Sequence, residues 1–391
     1  MIFEKNGVHD PTILQENGIY YLYSTDTLQP ETRGVPIRTS KDLIHWKFEK
    51  AALDGVPSKA KLWSGATELW APEVIKVDDE YRMYYSASTF GSTTSFIGLA
   101  VSDHPLGPWV DKGEVVKTNP QIAAHNAIDA NICYDRKNNQ WMVYGSFFGG
   151  IYIAEIDKVT GKFSNKGYGK QLAIRSQSVE GAIEGPFIKY NPDTDDYYLF
   201  VSFDSLNDFY NIRVGRSKSI DGPYIDFLGN ELTNLELCPD KIGTKILGGY
   251  QFSGEIPLYA PGHNSVFFDE GTKQDYLVHH ARKKQFSDEF FLQVRPLFWL
   301  SNGWPVTTPY EYTGRIEKVP AKLEHLQGAW EIVLFSQADV QKSEGIADIT
   351  MWLEKTESTY ITYKQEVKKQ LYISGITGSG ICFFGKKDEC K

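Results

Sequence analysis

The amino-acid sequence predicts an all-β chain, and three observations carry that prediction. Short runs of alternating apolar and aromatic residues recur throughout, helix signals are scarce, and Asn-Gly, Asp-Gly and Gly-Pro pairs cut the runs at turn positions. Aromatic residues make up 14% of the chain, with 23 Tyr and 22 Phe, a content that suits strands and sugar-stacking surfaces.

The runs form an internal repeat. Five segments share one shape: a polar or small residue, a short apolar strand, an acidic or Gly/Asn-rich turn, and an aromatic return strand. They start at His9-Asp10-Pro11-Thr12-Ile13, Trp70-Ala71-Pro72-Glu73-Val74, Ile128-Asp129-Ala130-Asn131-Ile132, Glu184-Gly185-Pro186-Phe187-Ile188 and Gly262-His263-Asn264-Ser265-Val266. Their returns begin at Tyr20, Tyr81, Trp141, Tyr197 and Tyr276. Steps of roughly 60–80 residues leave room for a four-stranded sheet with generous loops, so five units predict a five-bladed β-propeller over residues 1–315.

In a propeller the first strand of each blade lines the central channel. Residues at matched starts then gather at one mouth: Asp10, Ala71, Asp129, Glu184 (one place early) and His263. Any one of these alone reads as an ordinary strand-edge polar residue; three acids and a histidine in phase read as a site.

Past residue 315 the repeat stops. Gly328-Ala-Trp330-Glu-Ile-Val-Leu, Met351-Trp352-Leu353 and Leu371-Tyr372-Ile373 predict a small β-rich C-terminal domain over residues 316–391. Its own core is thin at that size, so it is expected to lean on the propeller.

Composition narrows the partners. A net charge of −9 carries no polyanion-binding footprint, and no apolar run approaches the roughly 18 residues of a membrane span. The start Met1-Ile-Phe-Glu-Lys has no signal-peptide core, so the expectation is a cytoplasmic protein or one whose leader was removed. Cys133, Cys238, Cys382 and Cys390 lack metal-type spacing. Cys133 reads as a buried free thiol, and a Cys382–Cys390 bridge stays open.

Two carboxyls around a pocket are the equipment of glycoside hydrolysis, one protonated to serve the leaving oxygen and one ionised to activate water or attack. A third nearby carboxylate raises its neighbour's pKa by like-charge repulsion. Separations of about 6.5–9.5 Å go with inversion and about 5–5.5 Å with retention, which the sequence leaves undecided. Trp70 and Phe90 offer faces for sugar rings, or core packing. No Gly-x-Ser-x-Gly elbow, His-Glu-x-x-His motif or phosphate loop competes. His279-His280 lies inside the fifth return strand and reads as hydrogen-bonding rather than metal-binding; an isolated cation near His263 stays open. Glu180 shares no repeat phase and reads as a solvated loop residue.

The motifs in order resemble those of glycoside hydrolase family 43 and, within it, two-domain endo-1,5-α-L-arabinanases. They are His9-Asp10-Pro11, Leu69-Trp70-Ala71-Pro72-Glu73, Tyr85-Ser-Ala-Ser-Thr-Phe90-Gly91, Asn126-Ala-Ile-Asp129, Gly145-Ser146-Phe147, Ile183-Glu184-Gly-Pro-Phe-Ile188, Val214-Gly-Arg216-Ser217 with Gly222-Pro-Tyr224, and Pro261-Gly262-His263. The resemblance implies inversion, with Asp10 as general base, Glu184 as general acid and Asp129 tuning and orienting the acid. It implies substrate contacts at Trp70, Phe90, Asn126 and Ser146, and a calcium ion beside His263. The implied partner is arabinan or an arabino-oligosaccharide, without nucleic acid or membrane, and the protein is expected to be a monomer. An exo-acting arabinofuranosidase, a β-xylosidase and a non-catalytic glycan-binding propeller are the alternatives. The chain departs from the usual pattern at Glu73, Ala130, Gly185 and Phe147-Phe148-Gly149-Gly150, which replaces a large indole near the cleft and leaves endo against exo attack open.

Overall fold

A computed structural model describes residues 5–27, 33–285, 287–336, 340–365 and 370–388, so Cys390 and its expected pairing lie outside the described residues. The chain is nearly all β. Each of the five expected starts pairs antiparallel with its expected return strand.

Every start leads one sheet. The first sheet runs Thr12–Glu16, Ile19–Tyr23, Pro36–Ser40, Lys47–Ala51, and the second Trp70–Val77, Glu80–Ala87, Ser95–Ser102, Val110–Thr118. The third is Asn131–Tyr134, Gln140–Tyr144 and Ile151–Asp157, on which Lys162–Phe163 and Lys170–Ala173 both pair. The fourth is Ile183–Asn191, Asp196–Phe203, Asn211–Ser217, Thr244–Leu247, and the fifth Tyr259–Asp269, Gln274–Arg282, Phe290–Trp299, Pro305–Thr307. The Asn17-Gly18 turn has φ 51° and 74°, the doubly left-handed backbone that matches strand twist in a tight hairpin.

Side-chain alternation explains why the return strands are aromatic on both faces. Successive residues of a strand point to opposite sides. Tyr81, Met83 and Tyr85 pack with Tyr21 and Tyr23 of the first sheet, while Tyr84 between them packs with Met142 and Tyr144 of the third. Val143 faces the other way, onto Leu199 and Val201. Phe200 packs with Leu277, and Tyr276 and Val278 return to Ile13 and Leu22 of the first sheet. Each sheet is thus buried on both faces, and the series closes on itself. The leading strands contact one another in the same cyclic order. The chain start ties the closure, since Gly7 N–H donates to Phe290 O and Leu292 N–H to Lys5 O, both at 2.9 Å.

The segment after residue 315 forms a six-stranded sheet in the order Ile316–Val319, Thr359–Gln365, Leu371–Ile376, Cys382–Lys387, Trp330–Leu334, Glu344–Ile346. Its Val333, Phe335, Tyr363, Tyr372 and Phe384 share one core with Tyr198, Tyr250, Phe298 and Trp304. Cys133 is a buried free thiol, as expected, and Cys382 is buried as well.

Candidate active site

The leading strands carry a kink at one repeated position. Asp10, Ala71, Asp129, Gly185 and His263 have φ of 51°, 40°, 61°, 57° and 46°. Non-glycine residues adopt this left-handed backbone rarely, yet four of these five matched positions are non-glycine. It accounts for Glu184 standing one place early: Gly185 holds the phase, and Glu184 projects from the residue before it.

The kink frees one N–H per sheet, and a side chain of the preceding sheet accepts it. Asp10 donates to His280 Nδ1 at 3.3 Å, Ala71 to Thr25 Oγ1 at 2.8 Å, Asp129 to Ser86 Oγ at 3.0 Å, Gly185 to Asp129 Oδ2 at 3.1 Å, and His263 to Ser202 Oγ at 2.7 Å. This ring of side-chain acceptors locks the five strand mouths together around one cleft of about 490 Å³. Asp10, Trp70, Phe90, Asn126, Asp129, Ser146, Glu184 and His263 all line it.

Asp10 is 7% exposed and surrounded by donors. His9 Nδ1 lies 2.8 Å from its Oδ2, His263 Nδ1 3.0 Å from its Oδ1, and Thr25 Oγ1 donates to Oδ2 at 2.5 Å. Burial alone would raise its pKa; the imidazoles of His263 and His9 overrule that and hold the carboxyl well below the usual range. His280 is held neutral by burial, so its part is to accept the Asp10 N–H.

Asp129 behaves in the opposite way. Burial, with the carboxylates of Glu184 and Asp10 close by, pushes its pKa well above the ordinary value. Asp129 Oδ2 accepts the N–H of Gly185, the residue after Glu184. Glu184 itself accepts from Ser146 Oγ at 2.9 Å on Oε2 and from the Tyr210 hydroxyl at 2.8 Å on Oε1.

Phe90 is 88% exposed at the cleft edge, which excludes the core-packing reading. Asn126 accepts from Ser95 Oγ. Glu180 is exposed in a loop, as expected, but that loop lies on the cleft wall. Sequence reasoning passed over Thr25 and Tyr210, which carry no repeat signal. The motif and strand patterns that hold His9 and the His279-His280 pair assign neither to the site; both His279 and His280 are buried, and His280 stacks on His9 at 3.9 Å between ring centroids.

Residues 4–305 match the sequence profile of glycosyl hydrolases family 43. The chain belongs to this family. Among family 43 relatives, an extracellular endo-α-(1→5)-L-arabinanase of Thermotoga petrophila is 35% identical over 367 residues, covering 83% of this chain and 75% of the relative. An extracellular exo-α-(1→5)-L-arabinofuranosidase of Cellvibrio japonicus is 33% identical over 319 residues, covering 76% of this chain and 85% of the relative. The crystal structure of an endo-1,5-α-L-arabinanase from Thermotoga petrophila superposes with a TM-score of 0.81 at 30% identity and covers 98% of both chains, C-terminal sheet included. The family 43 chain is a glycoside hydrolase.

Proposed function

We propose that this chain is an inverting endo-α-1,5-L-arabinanase, built as a five-bladed β-propeller over residues 1–315 with a small β domain over residues 316–391. The observation that carries the reading is the convergence of Asp10, Asp129, Glu184 and His263 from four successive-sheet mouths on one cleft. The cyclic contacts of the leading strands support the propeller, and endo-acting relatives, one of them a solved structure that covers 98% of both chains, support the linkage.

In the proposed reaction Asp10, kept ionised by its imidazoles, takes a proton from a water whose oxygen attacks the anomeric carbon. Glu184 gives its proton to the departing glycosidic oxygen, so the old C–O bond breaks as the new one forms. Asp129 tunes and orients the acid from its place beside Glu184, fixing the Gly185 backbone by accepting its N–H. Trp70 and Phe90 offer ring faces, and Asn126 a polar contact.

Internal cleavage needs room for the polymer on both sides of the cut. The cleft continues past Phe148 into a second hollow lined by Gly91, Ser92, Thr93, Pro120, Ala123 and Ala124, with Gly91, Ser92 and Phe148 shared between the two. That continuity favours endo over exo attack. The extracellular relatives support a secreted protein, and the protein is expected to be a monomer.

A calcium ion beside His263 finds a poor cage here. His263 Nδ1 is committed to Asp10, and the described group of metal-capable side chains that reach one another is His9, Asp10 and His280, which offers one carboxylate and two imidazoles where calcium takes six to eight oxygens, roughly. In the proposal His263 would stand beside such an ion, which would supply a fixed positive charge at the cleft, and no step is derived through it.

Release of reducing ends from linear arabinan tests the reading. Asp10→Asn and Glu184→Gln are expected to fold and to lose about 10²–10⁴-fold in turnover; an unchanged rate in either removes that residue from the mechanism.

A further inference from the structure

Glu184 has two oxygens with different surroundings. Oε2 is shared with Ser146, which lines the cleft; Oε1 faces Tyr210, which does not. Tyr210 is 1% exposed, and the acceptor described for its hydroxyl is Glu184 Oε1.

The ring is held from several sides. It stacks on His280 at 5.7 Å and 22°, and His280 stacks in turn on His9. Gly262 makes the space: a Cβ there would stand 1.9 Å from the Tyr210 ring. The next residue, Asn211, clamps the backbone, donating to Phe203 O, Asp204 Oδ2 and Phe209 O. Asp204 is paired with Arg175, which also donates to Ala182 O at 3.0 Å, two residues before Glu184. One buried network therefore fixes both the phenol and the strand that carries the acid.

We propose that Tyr210 is a positioning residue that dedicates Oε1 of Glu184 to accepting its hydrogen bond, so that the proton to be donated resides on Oε2, the oxygen on the cleft side. This rests on Glu184 being the general acid. Ser146 can rotate its hydroxyl to suit either state of Oε2. Tyr210 cannot exchange roles so easily: burial, with Glu184, Asp10 and Asp129 nearby, keeps its own proton on at any working pH. When Oε2 gives up its proton to the leaving oxygen, the negative charge spreads to Oε1, where the phenol already donates.

The test uses leaving-group dependence. A linear α-1,5-arabino-oligosaccharide leaves as an alkoxide and needs the proton; a 2,4-dinitrophenyl α-arabinobioside leaves without it. Tyr210→Phe keeps the ring, its stack and its fit against Gly262. It is expected to lower kcat on the oligosaccharide by about tenfold or more, with little change on the dinitrophenyl substrate. Equal losses on both, no loss on either, or a variant that no longer folds would each overturn the proposal, since the hydroxyl would then serve the fold or nothing. Glu184→Gln run in parallel separates the two claims: it should lose the oligosaccharide and keep the activated substrate, and if it cleaves both normally the reading of Glu184 fails, whatever Tyr210→Phe does.

Discussion

His263 Nδ1 lies 3.0 Å from Asp10 Oδ1, while the His263 backbone N–H is itself anchored to Ser202 Oγ at 2.7 Å. The fourth sheet thus holds the histidine that holds the first sheet's carboxylate. With its pKa depressed, Asp10 is ionised down to acid pH, and the activity it supports is lost only as pH falls through that low value. His263→Ala removes one of the two imidazoles that offset burial. The expected outcome is a turnover lower by about ten- to a hundredfold and an acid limb of the pH–rate profile moved to higher pH. Chelation of the wild type is expected to cost less than this substitution, because it leaves the Nδ1 contact intact. A chelated wild type as slow as His263→Ala would instead assign the role of His263 to the ion.

Glu73 gives a stability prediction. It is buried in the second sheet's leading strand, accepts from Thr12, Asn131 and the Ile132 N–H, and burial outweighs those bonds to push its pKa up from 4.5 to about 7. The folded value is raised, so the contribution is fully present below about pH 4.5 and is lost as pH rises to about 7, at about 1.4 kcal/mol per unit and about 3 kcal/mol in all. Glu73→Gln keeps a carbonyl for Asn131 and Ile132 and turns its amide to Thr12 Oγ1. Thermal melts should therefore show a shallower fall in Tm from pH 5 to 7 for the variant than for the wild type; parallel curves would mean that Glu73 is already ionised when buried.

Phe148 forms the ridge between the two hollows. It is 39% exposed, and consecutive left-handed residues, Phe147 at 52° and Phe148 at 42°, present it. Gly149 lets the turn pack down, since a Cβ there would stand 2.9 Å from Ala124 O. Strained backbone of this kind points to function. Phe148→Ala is expected to raise KM for linear arabinan about fivefold, on the order of 1 kcal/mol of lost apolar contact, and to leave short oligosaccharides that do not reach the ridge unaffected. Kinetics on a length series decides; an equal effect at every length would place Phe148 in the core of the reaction site.

The C-terminal sheet shares its core with the fourth and fifth sheets. Tyr250 meets Phe335 at 6.1 Å and Phe384 at 5.5 Å, Phe298 meets Tyr363 at 5.1 Å, and Lys386 Nζ reaches Glu255 at 2.8 Å. A chain ending at residue 315 would uncover these faces. It is expected to melt at least roughly 10 °C lower or to aggregate on expression; a truncated protein as stable as the full chain would make the sheet a separate appendage.

Much of this was legible beforehand because strands and kinks obey local rules. The five starts could be aligned since each combines a polar residue, an apolar strand and an aromatic return, and that same alignment brought Asp10, Asp129 and His263 into one phase. Tyr210, Thr25 and His280 were not legible as site residues. Their approach depends on how one sheet packs on the next, which no spacing encodes. Phe148 stood out only as a departure from a resembling motif, and its exposure comes from the Phe147–Phe148 backbone. The raised pKa of Asp129 was not legible either, because burial, a property of the folded chain, is its largest cause.

The most direct test of the central claim follows the anomeric proton while linear α-1,5-arabinan is cut. Proton NMR in the first minutes should show reducing ends of oligosaccharides, not free arabinose alone, formed in the β configuration before mutarotation supplies the α form. Reducing ends that appear first as α would contradict an Asp10-activated water and an inverting pair.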